Sequence, residues 1–213
     1  MPLKAVIFDM DGVLSATQKL HAQAQSEVLE KYGGEMSPGE ITEKYAGREP
    51  GTLFREESNT DSPMEAHAEK QEILYSLVEK EGVESIKGSK ELVRNLQEDY
   101  RLAVASSSQP DFIQKVLEDL GIEEYFDSIE SASNVDNGKP APDVFLKVAE
   151  ELGVKPRNCL VIEDGRSGME GAKKAGMTCI GLVNEEGENP ADETIEGLEN
   201  LDQTSIKKIY RDS

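Results

Sequence analysis

The chain has 213 residues, with 43 Asp and Glu against 23 Lys and Arg, a formal net charge of −20. That length suits one compact domain carrying a smaller inserted one, and the acidity argues against nucleic acid as a partner, because phosphate backbones are repelled. No apolar stretch approaches the ~18–20 residues that cross a bilayer, so no membrane partner is expected.

The negative charge is spread along the chain. Residues 185–213 hold nine acidic and three basic side chains, less than a third of the excess. Such a surface fits a salty milieu, although sixteen lysines against seven arginines is more lysine than extreme salt adaptation would bring. The two cysteines, Cys159 and Cys179, lie in apolar runs. They read as buried thiols in a reducing compartment, which makes the cytoplasm the expected location.

The first apolar run, Leu3 to Phe8, ends at once in Asp9 and Asp11. It is therefore read as a buried strand and not as a secretory leader. From Thr17 to Lys31 the apolar positions Leu20, Ala24, Val28 and Leu29 fall at helical spacing, and Tyr32-Gly33-Gly34 stops the helix. The pattern stays helical to Val83, broken at Ser37-Pro38-Gly39, Glu49-Pro50-Gly51 and Ser62-Pro63. Glu65 to Lys80 is the clearest helix of that span, with Ile73, Leu74, Leu77 and Val78 on its apolar face.

After Gly88 the texture changes. A helix through Leu92, Val93 and Leu96 leads to the apolar run Leu102 to Ala105 and the polar cluster Ser106-Ser107-Ser108. A helix containing Phe112, Val116, Leu117 and Leu120 ends at Gly121, and a short run follows around Phe126 to Ile129. Another helix starts after Pro142; the run Cys159 to Ile162 then ends in Glu163-Asp164, before a glycine-rich helix start and a last strand, Thr178 to Val183. Strands alternating with helices predict βαβ crossovers and a parallel sheet. The fold class is therefore α/β: a Rossmann-like parallel sheet flanked by helices, with a small inserted helical domain.

Enzymes on parallel sheets place their chemistry at the carboxyl ends of the strands. Here those ends carry Asp9 and Asp11, whose two-residue spacing predicts side chains pointing the same way, and Glu163-Asp164. Carboxylates converging on one crevice repel each other unless a hard cation sits among them, and Mg²⁺ favours all-oxygen sites. Lys139 and Ser106 occupy equivalent loops. Metal ligands, a lysine and a hydroxyl are the parts that hold a phosphoryl group, which a carboxylate such as Asp9 could attack. A calcium loop at Asp9 is disfavoured, because Val13 and Leu14 stand where an oxygen ligand and a glycine are needed. The series Gly165, Gly168, Gly171 has the wrong first spacing for a dinucleotide loop. Close helix-to-sheet packing is the expected reason for these glycines.

Phe8-Asp9-Met10-Asp11-Gly12-Val13-Leu14, Ala105-Ser106, Lys139-Pro140-Ala141-Pro142-Asp143, and Glu163-Asp164 with Gly168, Ala172 and Gly176 behind it resemble the haloacid dehalogenase-like hydrolase superfamily. More narrowly, they are similar to its phosphatase and β-phosphoglucomutase-like branch with a helical cap. The resemblance implies a core of residues 1–14 and 88–213 and a cap of 15–87. It makes Asp9 the nucleophile and Asp11 the general acid and then base. It implies Mg²⁺ on the Asp9 carboxylate, the Asp11 backbone carbonyl and Asp164, with Glu163 direct or through water. Ser106 and Lys139 would bind the phosphoryl oxygens. In the cap, Gly47 and Arg48 match a loop that reaches toward substrate, and His21 matches a position near the hinge.

Departures from the pattern fall at Ala16, at Gly165, at Gln109 and Pro110 where mutases carry a lysine and an asparagine, and at the cap lysine, where Lys70 and Gln71 compete for the register. They favour a Mg²⁺-dependent phosphatase acting on a small phosphorylated metabolite over a sugar-phosphate mutase. A dehalogenase or a non-catalytic binding protein is expected less, because Asp9 and Asp11 stand together. His67 reads as a surface residue, and a monomer is expected rather than an oligomer.

Overall fold

The computed structural model describes residues 2–45, 50–183 and 189–213. The chain divides into two compact units, Met1–Ala16 with Glu84–Ser213, and Thr17–Val83. In order, the elements are β1 (Ala5–Phe8), α1 (Gln18–Lys31), α2 (Pro38–Tyr45), α3 (Thr52–Glu57), α4 (Pro63–Glu81), α5 (Ser89–Leu96), β2 (Arg101–Ser106), α6 (Pro110–Leu120), β3 (Ser128–Ser131), α7 (Asp143–Glu151), β4 (Cys159–Glu163), α8 (Arg166–Lys174), β5 (Thr178–Leu182), β6 (Glu193–Ile195) and α9 (Gln203–Asp212).

The first unit is an α/β fold around one six-stranded sheet in the order β3-β2-β1-β4-β5-β6. Every neighbouring pair is parallel. β1 lies in the middle, and all four of its residues are fully buried, as its unbroken apolar run requires of a strand covered on both faces. Ala5, Ile7, Ala103 and Val161 pack on one face against Val144, Phe145 and Val148 of α7 and Met169 and Ala172 of α8. Cys159 and Cys179 are free and buried, and burial pushes their thiols up to about 11 and about 12.

The chain leaves this unit after Ala16 and re-enters beside it, where Ala16 N donates to Glu84 O at 2.8 Å. Among its described residues the second unit's regular elements are all helices, α1 to α4, joined by turns. Its core joins Ala22, Val28 and Leu29 of α1 to Ile41, Tyr45, Leu53, Phe54 and Ala66. Among the described residues, no helix is long and apolar enough to cross a membrane.

Two elements lie beyond the periodicity expected from the sequence. β6 is a three-residue edge strand, Glu-Thr-Ile, exposed along most of its length, so it has no apolar run to announce it. α9 starts at a capping box in which the Asp202 carboxylate accepts from Ser205 N and Ser205 Oγ closes back on the Asp202 backbone. That local signal was present in the sequence as Asp-x-x-Ser before Ile206 and Ile209.

Candidate active site

The pairing register assembles the site. Phe8 faces Val104 on one side and Ile162 on the other, so Asp9, just past β1, stands level with Ala105 near the end of β2 and with Glu163 at the end of β4. The next residues do not continue as strand. Met10 O accepts from Leu14 N at 2.9 Å and from Ser15 N at 3.0 Å, and Gly12 takes φ 93°, a left-handed value natural to glycine. The extended strand therefore gives way to a turn after Asp9, and the two aspartates take different partners.

Asp9, 6% exposed, turns toward the loop after β3. Lys139 Nζ donates to Asp9 Oδ1 at 2.6 Å, to Glu163 Oε1 at 2.6 Å and to the Ala105 carbonyl at 2.9 Å. The Lys139 side chain is 4% exposed, and its ammonium also lies 5.2 Å from the centre of the Phe145 ring. Glu163 Oε2 accepts from Gly165 N at 2.8 Å. Asp11 Oδ2 accepts from Ser108 Oγ at 2.8 Å and, at the edge of bonding distance, from Ser106 Oγ at 3.5 Å. Ser106 Oγ in turn accepts from Ser108 N at 3.1 Å. Ser131 Oγ, at the end of β3, donates to Ser108 O at 2.6 Å and fixes that turn.

Burial pushes the Asp9 carboxyl well above the usual carboxylate range; Lys139 opposes the rise, and Glu163, Asp164 and Asp11 add to it. At Lys139 burial works against the charge, but Asp9 and Glu163 overcome it and hold the ammonium above its ordinary range. The two directions are compatible because the carboxylates outnumber the ammonium. One oxygen each from Asp9, Glu163 and Asp164 lie within 4.8 Å of one another. An all-oxygen, net-negative, largely buried cluster fits a hard divalent cation. The Asp11 carboxylate stands outside this cluster, so of the expected metal ligands Asp11 could contribute only through its backbone.

In the helical unit, Lys70 is 3% exposed and its Nζ lies 2.9 Å from His21 Nδ1, which must present a lone pair there. Lys70 thus takes the buried position for which Gln71 competed. Gln71 instead meets His67 at 3.4 Å. His67 is half-buried, not a surface residue, and burial, with Lys70 and His21 adding, lowers it to about 4. Gly47 and Arg48 lie outside the described residues.

Ser108 and Ser131 were missed as site residues. Gln109 stands at the N-cap position of α6 without a side-chain cap bond and Pro110 opens the helix, while the Ser108 hydroxyl donates to Asp11. Ser108→Ala is expected to lower turnover by roughly ten- to a hundredfold, the worth of a hydrogen bond to a charged group, with the larger effect on kcat than on KM. Steady-state kinetics against wild type checks it.

A sheet with its acidic residues gathered at the carboxyl ends of β1 and β4 places the chain among α/β enzymes that work at that edge. The family model for haloacid dehalogenase-like hydrolases matches residues 6–182, and the chain belongs to that family. It is 33% identical over 191 residues to the phosphorylated carbohydrates phosphatase of Thermotoga maritima, covering 85% of this chain and 86% of that one. It is 31% identical over 182 residues to the fructose-1-phosphate phosphatase YqaB of Escherichia coli, covering 82% and 94%. Among solved structures, β-phosphoglucomutase of Clostridium difficile superposes with a TM-score of 0.85 at 27% identity, over 100% of this chain and 98% of the other.

Proposed function

We propose that the protein is a Mg²⁺-dependent phosphatase that hydrolyses a small phosphorylated metabolite through an aspartyl phosphate on Asp9. The observation that carries this reading is the division of labour between two aspartates, one fixed by Lys139 and the other by Ser108. A nucleophile and an acid that act on opposite sides of one phosphorus need different partners.

Bound by Asp9, Glu163 and Asp164 with the Asp11 backbone carbonyl, Mg²⁺ would neutralise charge on the phosphoryl oxygens. The Asp9 carboxylate attacks phosphorus as the P–O bond to the alkoxide breaks. Asp11 gives its proton to that oxygen, then removes one from the water that cleaves the aspartyl phosphate, which returns Asp9 and releases inorganic phosphate. Lys139 and Ser106 hold the transferring oxygens, at the cost of loosening the Lys139 contacts to Asp9 and Glu163. The helical segment 15–87 keeps its proposed role in choosing the metabolite, with Gly47, Arg48 and His21 as candidate residues. A reducing cytoplasm fits the two buried thiols.

A mutase must grip a second phosphate. The turn into α6 is Ser107-Ser108-Gln109-Pro110-Asp111 and brings no cation, so hydrolysis is favoured over mutation. The test is phosphate release from a panel of sugar, glycerol, glycolate and nucleotide monophosphates. The expected result is release with Mg²⁺ and none with EDTA. An isomeric product that requires a bisphosphate activator would replace this reading with a mutase.

A further inference from the structure

We propose, resting on the reading just given, that Gly168 is a positioning residue: the space where its side chain would stand holds the Glu163 carboxylate, and so fixes the contacts of Lys139. Gly168 lies in the first turn of α8, and no left-handed φ demands a glycine there. What demands it is one side chain. A Cβ at Gly168 would stand 1.6 Å from Glu163 Oε1, 2.0 Å from its Cδ and 2.7 Å from Oε2. Close packing of helix on sheet, the reason expected from the sequence, thus narrows here to one side chain at the end of β4; at Gly171 the neighbours lie outside the sheet, since a Cβ there would meet the Ala141 carbonyl and the Phe145 ring of α7, each at 3.0 Å.

Glu163 is 3% exposed and has both oxygens committed, Oε1 to Lys139 and Oε2 to Gly165 N. Any side chain at 168 displaces that carboxylate and breaks both bonds. Because Glu163 is the flexible partner, the helix can survive the substitution while the carboxylate cannot stay. Lys139 then keeps Asp9 and loses Glu163, and the oxygen cluster loses one of its three side chains. Gly165 carries no such demand, since its Cβ would only reach ordinary contact with Glu163 Oε2 at 3.4 Å.

The test is a cycle of the full-length chain read by thermal denaturation in EDTA. Alanine is the better helix former, so Gly168→Ala should raise Tm in a Glu163→Ala background, where the obstacle is gone. In the wild-type background it should lower Tm. A change of the same sign and size in both backgrounds overturns the proposal. With Mg²⁺ added, the metal-induced rise in Tm should shrink in Gly168→Ala. Phosphate release should fall by about tenfold or more, mainly in kcat, on the scale of one lost charge-assisted hydrogen bond. Shortening the acid in Gly168→Ala/Glu163→Asp should recover part of that loss; strictly additive losses count against the proposal. If the wild type releases no phosphate from any substrate, the phosphatase reading fails, while the sign reversal in EDTA still decides the role of Gly168.

Discussion

Asp9→Asn is expected to cut phosphate release by on the order of 10⁴- to 10⁶-fold, as loss of a covalent nucleophile does, while leaving a folded protein. The amide keeps an oxygen for Lys139 Nζ, which donates to Asp9 Oδ1 at 2.6 Å, but it cannot form a stable phosphoryl adduct. The same substitution should raise Tm in EDTA at neutral pH. The sign follows from linkage. The Asp9 carboxyl is held well above its ordinary 3.8 by burial, with the neighbouring acids adding to the rise. Its contribution to stability is therefore fully present below the unfolded value and lost as pH rises through the raised one. At neutral pH the metal-free fold disfavours the ionised form that the unfolded chain carries at this position, and asparagine removes that cost. The gap between variant and wild type should close on acidification toward about pH 4. Phosphate release and Tm against pH in EDTA check both halves. An Asp9→Asn protein as active as wild type would end the catalytic reading of this residue.

Lys139→Met is expected to have the largest effect on stability. It keeps an apolar stem but removes the ammonium that bridges Asp9 and Glu163 at 2.6 Å each. Breaking a buried ion pair from one side costs about 3–5 kcal/mol, because the other charge stays buried without compensation. Here two carboxylates are left so, and in a chain of this size Tm should drop by roughly 10 °C in EDTA. Mg²⁺ should restore part of that drop, since a cation that binds the cluster supplies the missing charge. Activity should not return with stability. Loss of a donor aimed at the phosphoryl oxygens costs on the order of 10²–10³-fold in kcat. Melting curves with EDTA and with Mg²⁺, beside kcat at saturating metal, separate the two roles.

Much of the core could be read from the sequence because its signals are local. Each inner strand is a short apolar run closed by polar residues, and the helices after Gly88 carry clear apolar faces that end at glycines such as Gly121, which takes φ 65°. Asp9 follows β1, Glu163 closes β4 and Asp164 follows it, so their place at the carboxyl edge followed from strand ends alone. β6 escaped because its residues are mostly exposed and an edge strand of three residues has no pattern of its own. In the helical unit, Lys70 and Gln71 are adjacent on one helix, and which of them turns inward depends on His21, 49 positions earlier; spacing alone does not decide it.

The sequence by itself determined that this is an α/β chain with an acidic strand-end site, because hydrophobic period and strand-terminal charges are properties of neighbouring residues. Tertiary structure alone decided how those charges are shared. Asp9 is held by Lys139 and Asp11 by Ser108. Lys139 joins Asp9 across 130 positions, and Gly168 makes room for Glu163. These partnerships depend on sheet register and on packing between distant segments, which no local pattern encodes. The net charge of −20 is a property of the whole surface; the charge that bears on chemistry is the small buried cluster around Lys139.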